Sequence, residues 1–216
     1  MKTRQKWLLQ IAVLANLSLG ISASVADSSV TIVNCAGLDF TNMETVRAHA
    51  ERELYITVIS TNVLSQRGKD LQDIGMIAAK TKKNNKDYLI VLGMPSEISA
   101  IQYAIMTNEQ VAIINVPAVT STNAAVTTRR LQRLTMRAAA SLFGIGSDPD
   151  PFCVMHDYRT LNDLDRMGMN FSPPWGDKFR QAAKARGLTV RPLFTPRPMP
   201  VTTNAVPVAP VPVKGN

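Results

Sequence analysis

Residues 131–175 read LQRLTMRAAASLFGIGSDPDPFCVMHDYRTLNDLDRMGMNFSPPW. The opening of this stretch has helical spacing. Leu131, Leu134, Ala138 and Leu142 recur every three or four residues, so they share one face of a helix expected from about Ala125 to Phe143. Gly144 or Gly146 ends that helix, since glycine accepts the left-handed backbone of a helix terminus. Asp148-Pro149-Asp150-Pro151 cannot continue it, because proline has no N–H to donate. A last helix is expected from Ser172 as N-cap, with Pro173 in its first turn, through KFRQAAKAR to Gly187.

Upstream, short β-branched runs alternate with helical ones. Val30–Val33, Tyr55–Ser60, Tyr88–Leu92 and Val111–Val116 read as strands, the last stopped by Pro117. Thr41 to Glu53 has helical spacing, with Thr41 and Glu44 in capping-box register. Leu71, Ile74, Ile77 and Ala78 mark a second helix, fading in the polar run from Lys80 to Lys86. Apolar strands alternating with helices indicate an α/β layer with a mostly parallel sheet.

Beyond the long helix, Cys153-Val154-Met155 is followed by Thr160-Leu161-Asn162-Asp163-Leu164-Asp165-Arg166 and then by Asn170-Phe171-Ser172-Pro173-Pro174-Trp175. This order resembles the active-site region of the archaemetzincins, a branch of the zinc-dependent metzincin peptidases. Their pattern is H-E-x-x-H-x-x-G-x-x-H-C, a C-V-M turn, S-L-x-E-x-D-x-K and a C-P-x-C pair. The resemblance implies a zincin/metzincin-like twisted mixed sheet with long helices and a small C-terminal subdomain, spanning residues 27–191.

In that family two histidines four apart on one helical face hold zinc, and the glutamate between them acts as general base on the metal-bound water. With Gly144 as the family's glycine, the first histidine falls on Arg137, the glutamate on Ala138 and the second histidine on Ser141. The third histidine falls on Ser147 and the following cysteine on Asp148. Cys153, Val154 and Met155 match the Met-turn, while Ser172 and Trp175 stand at the C-P-x-C cysteines. Serine hydroxyls are poor zinc ligands, and arginine stays protonated and repels a cation. The resemblance thus implies a peptidase shape with no catalytic residue, no metal ligand set and no cofactor. Zinc enters only if unorthodox ligands replace the lost ones.

Three readings of Arg137 stand side by side. It pairs with Asp148, Asp150 or Asp157 and holds the cleft shut; it receives the carboxylate of a peptide or protein ligand; or it extends to solvent. The chain has two histidines, His49 and His156. His156 with Cys153 and Asp157 is spaced too tightly for ordinary zinc geometry, and reads as a loop histidine. Cys153 and His156 three residues apart would be an unusual nucleophile pair. His49 and Glu53, four apart on a helix, read either as a ligand pair or as an exposed charged face.

The N-terminus has Lys2, Arg4 and Lys6, an apolar run from Trp7 to Ile21, and Ser24-Val25-Ala26. That is the order of a signal peptide over residues 1–26, implying export to the periplasm or beyond; left uncut, it would be the chain's membrane anchor. Its removal lowers the formal charge from +8 to +5. The remaining excess is dispersed, without the clustered cations and aromatic platforms of a nucleic-acid groove. Residues 192–216 are rich in Pro, Val and Thr without periodicity and read as an extended tail. Cys35 and Cys153, the two cysteines, read either as a disulfide worth about 4 kcal/mol or as two buried thiols. An envelope interaction protein unrelated to peptidases, using its tail as contact segment, is the remaining alternative.

Overall fold

The computed structural model describes residues 28–63 and 68–193. The expected signal peptide and residues 194–216 of the expected tail lie outside the described residues. Five strands form one sheet: β1 (Val30–Asn34), β2 (Val58–Asn62), β3 (Tyr88–Gly93), β4 (Tyr103–Met106) and β5 (Val111–Asn115), in the order β2-β1-β3-β5-β4. β1 pairs in parallel with β2 and β3, and β3 with β5. β4 alone runs antiparallel, on β5, at the sheet edge.

Because successive side chains of a strand point to opposite faces, each strand feeds two cores. Val30, Ile32, Ile90, Leu92, Ala112 and Ile114 pack on one side, with helix α1 (Phe40–Leu54) and helix α4 (Ala124–Leu142). Val33, Leu89, Val91, Val111 and Ile113 pack on the other, against Leu71, Ile74 and Ala78 of helix α2 (Leu71–Ala79). β3 and β5 are therefore buried along their whole length, which accounts for their uninterrupted apolar sequences.

Several local expectations are corrected. Thr41 and Glu44 do not form a capping box: Asp39 is the N-cap of α1 and accepts from the Asn42 N–H at 2.9 Å, while Glu44 binds Arg47. Tyr55 is not strand but the left-handed close of α1, at φ 56°, so β2 starts only at Val58. Pro117 does more than stop β5. It sits in the first turn of the short helix α3 (Val116–Val119), where a missing N–H costs nothing. The antiparallel β4, four residues between loops, was too short to announce itself by alternation.

The long helix α4 is capped by Asn123, whose side chain accepts from the Ala125 N–H. Its end is a Schellman closure. Gly144, at φ 75°, donates to the Ser141 carbonyl, and Ile145 donates to that of Ala140. The chain then forms a loop, helix α5 (Leu161–Arg166), which packs on α4, and helix α6 (Pro173–Ala185), which packs on α1, and both add side chains to the first core. Tyr88, Phe143, Phe179 and Phe171 make a continuous aromatic contact from β3 to α6, with centroids 4.5 to 5.6 Å apart. α5 was not expected as a helix. Thr160 and Asp163 form a true capping box at its start, and the S-L-x-E spacing is the sequence form of that cap.

Where this C-terminal segment doubles back, Gly168 passes so close to the Phe152 carbonyl that a Cβ would lie 1.7 Å from its oxygen. Backbone, not a flexible side chain, blocks the space. Gly168→Ala is expected to destabilise the protein by roughly 1–3 kcal/mol in urea unfolding, against less than about 0.5 kcal/mol for an alanine at the open, exposed Gly146.

Candidate functional site

The Met-turn is a reverse turn in which the His156 N–H donates to the Cys153 carbonyl at 3.1 Å. Val154 and Met155 are buried within it. Arg137 reaches this turn from α4. Its Nη1 donates to the Val154 carbonyl at 2.7 Å and to the His156 carbonyl at 2.6 Å, bracketing Met155. Its guanidinium lies over the Tyr158 ring, 4.8 Å from the centroid, and only 6% of the residue is exposed. Two of the three readings of Arg137 are thereby overturned. It is not an exposed side chain, although it borders a surface depression, and it forms no ion pair with Asp148, Asp150 or Asp157; backbone carbonyls take that place, because the turn aims its oxygens at the helix.

Arg137 is one of three. Arg130, Arg133 and Arg137, spaced three and four apart, occupy one face of α4, on the side opposed to the C-terminal segment. Arg130 makes a two-pronged ion pair with Asp165, at 2.9 and 2.6 Å. Arg133, also 6% exposed, donates to the carbonyls of Asp165, Met167 and Gly168 at 2.9 to 3.4 Å, capping the end of α5. The spacing is visible in the sequence, but the apolar stripe of the same helix concealed it.

The positions matched to the family's cysteine-rich site also converge. Asp148 is buried and accepts from the Ser172 hydroxyl and, at 3.0 Å, from the Asp150 N–H. The Cys153 Sγ accepts from the N–H groups of Met155 and Ser172 at 3.4 and 3.3 Å. Trp175 donates its indole N–H to the Gly146 carbonyl at 2.9 Å. Ala138 is buried in the core, Ser141 is half-buried and Ser147 is exposed, and none of the three lines the depression beside Arg137.

The remaining sequence candidates disperse. Cys35 and Cys153 are free, and they belong to the packing of opposite sheet faces, which overturns the disulfide. Burial pushes the Cys153 thiol up, and the neighbouring Asp148 adds to that, the opposite of an activated nucleophile. His156 turns Nδ1 to the Asp148 carbonyl at 3.1 Å rather than to the thiol. His49 is buried and not part of an exposed face; burial lowers its pKa, and its Nδ1 lies 3.1 Å from Arg52. Among the described residues, no three His, Cys, Asp or Glu side chains come together as a metal site.

A depression of about 260 Å³ opens beside Arg137, lined also by Ala100, Gln102, Tyr103, Asp157 and Tyr158. Tyr158 donates its hydroxyl to Gln102 Oε1 at 2.6 Å, and burial pushes its pKa up to about 12. Larger depressions lie at Tyr55 and Arg191 and at Trp175 and Lys178, neither of them touching Arg137.

The acid response follows from these contacts. Burial opposes the charge on Asp148, but the Ser172 hydroxyl, the Asp150 N–H and the Cys153 thiol outweigh it and hold the carboxyl below its ordinary value. The hydrogen bond from Arg130 does the same for Asp165. A carboxyl whose folded pKa is depressed stabilises fully above its unfolded pKa, about 4, and loses that stabilisation as pH falls through the folded value. Urea midpoints are therefore expected to fall below about pH 4, with a smaller early loss below about pH 6.5 as His49 resists protonation. Asp165→Asn, already deprived of its ion pair at neutral pH, is expected to show a shallower fall between pH 5 and 3.

No protein-family model and no curated protein sequence matches the chain. Solved structures do. A zinc-dependent peptidase from Methanocorpusculum labreanum superposes with a TM-score of 0.59 at 13% identity, over 70% of this chain and 100% of that one. Archaemetzincin from Methanopyrus kandleri gives 0.57 at 16% identity, over 76% and 99%. Archaemetzincin from Archaeoglobus fulgidus, complexed with malonate, gives 0.55 at 11% identity, over 69% and 99%. The chain has the archaemetzincin-like fold, and at these identities the likeness concerns the fold alone.

Proposed function

From that fold, we propose that the chain is an exported, non-catalytic relative of archaemetzincin-type metallopeptidases that binds a peptide or protein segment in the former active-site cleft. One observation carries the reading: the guanidinium of Arg137, the residue that the sequence resemblance matches to the first zinc-binding histidine, donates from Nη1 to the Val154 and His156 carbonyls. A cation held against the Met-turn opposes a second cation there.

The residues present do not fit zinc. Tetrahedral zinc sites need neutral imidazole, thiolate or carboxylate donors in convergent geometry. Arg137 has no lone pair to give, Ala138 cannot act as base, and Ser147 is exposed and away from the cleft depression. Asp148, Cys153 and Ser172 satisfy one another by hydrogen bonds, with the thiol protonated by its surroundings. What the residues can do is hold a cleft open beside the edge strand and present a fixed positive charge in it.

The test is elemental analysis of protein purified without added metal and again after equilibration with zinc and desalting, alongside a peptide-cleavage assay. Zinc far below one per chain in both samples, with no cleavage, is expected. One zinc per chain with chelator-sensitive cleavage would overturn the proposal.

A further inference from the structure

Arg137 is a buried cation whose needs the protein meets only in part. Its two hydrogen bonds go to neutral carbonyls, and among the described residues it belongs to none of the ion pairs. Nε is buried with no acceptor, and Nη2 makes no hydrogen bond within the described residues. Arg130, two turns back on the same helix face, has its carboxylate in Asp165. Arg137 has none, and it is the arginine that borders a cleft.

The rest of the lining suits an anion of one geometry. Gln102 uses its Oε1 to accept from Tyr158, which leaves its amide N–H groups as donors at the cleft wall. Tyr103 contributes a second aromatic wall and Ala100 keeps one side small. Asp157 is the acidic group of the lining and opposes an anion, so it tunes affinity downward without neutralising Arg137. The volume, about 260 Å³, is smaller than the roughly 300–1,000 Å³ of sites that enclose drug-sized ligands. It admits a chain end and not a folded surface. An internal peptide group would bring only neutral dipoles, whereas a carboxylate supplies the missing charge and accepts from both Arg137 and Gln102.

We propose that this cleft captures the free C-terminal carboxylate of a peptide, with Arg137 as the charge partner, Gln102 as the second donor and Asp157 as an opposing charge. This rests on the non-catalytic reading of the same cleft given above.

The experiment titrates the full chain, ¹⁵N-labelled, with N-acetyl-alanylalanine as the free acid, with its C-terminal amide, and with sodium acetate, following the amide and arginine Nε signals. Zinc content is measured on the same sample. The expected result is saturable shifts at Arg137, Gln102 and Tyr158 with the acid, at least about tenfold weaker binding of the amide, and acetate competing at higher concentration. Acetate binding as tightly as the peptide acid would show a site for any small carboxylate and overturn the peptide assignment. Arg137→Met removes a structural contact as well, so Asp157→Asn carries the discrimination: it should tighten the acid severalfold and leave the amide unchanged. Equal binding of acid and amide, no shifts with either, or no gain in Asp157→Asn overturns the inference. If these failures occur in zinc-free protein, the non-catalytic reading stands; stoichiometric zinc in the sample removes that reading instead.

Discussion

Three arginines of one helix tie residues 154–168 to the rest of the protein. A charge inside a protein costs several kcal/mol unless it is hydrogen-bonded, and a reverse turn and a helix end are costly to bury unless their carbonyls find donors. On α4 these needs cancel. Arg133 closes the end of α5, Arg137 closes the Met-turn, and Arg130 fixes Asp165 beside them. The apolar contacts of Leu131, Leu134 and Leu142 with the sheet hold the other side of the helix. α4 is thus bound to the sheet by burial and to the C-terminal segment by directed bonds, and the position of the cleft follows from that division.

The second knot, where the resemblance places cysteines, has the same logic on a smaller scale. A metal would draw several chain segments to one point through four bonds. Here Asp148, Cys153 and Ser172 draw the same segments together through the Ser172 hydroxyl, the Ser172 and Met155 N–H groups and the Asp150 N–H, and the Trp175 indole ties the start of α6 to Gly146. Hydrogen bonds of this kind are individually worth about 1 kcal/mol net, more where a charged acceptor is buried. The fold needs the convergence of segments, and either chemistry supplies it.

How much of this the sequence disclosed depended on whether the signal was local. The buried strands β3 and β5, the stripe of α4, its glycine close and the proline start of α6 were all legible, because each rests on residues adjacent in the chain. The edge strand β4 and helix α5 were not. One is four residues long, and the other owes its existence to a capping box hidden inside what looked like a family motif. The site was half legible: Arg137 stood out by its residue type, and the structure sets it against the Met-turn. Its partners were not foreseen, since residue types point to Asp148, Asp150 or Asp157, whereas a turn's carbonyls have no letter of their own. His49 misled for a related reason, being a polar residue on a charged helix whose burial is imposed by α4 and the segment packed over it.

Folds that share a scaffold need not share its chemistry. The guanidinium of Arg137 joins α4 to the Met-turn through the Val154 and His156 carbonyls. The direct measurement is equilibrium urea unfolding of Arg137→Met and of the parent, each with excess chelator and with added zinc. Loss of one side of a buried polar contact leaves two carbonyls without their donor, so a fall of at least about 2 kcal/mol is predicted, with the parent unmoved by chelator or zinc. A variant as stable as the parent, or a parent that chelator destabilises and zinc restores, would contradict the account.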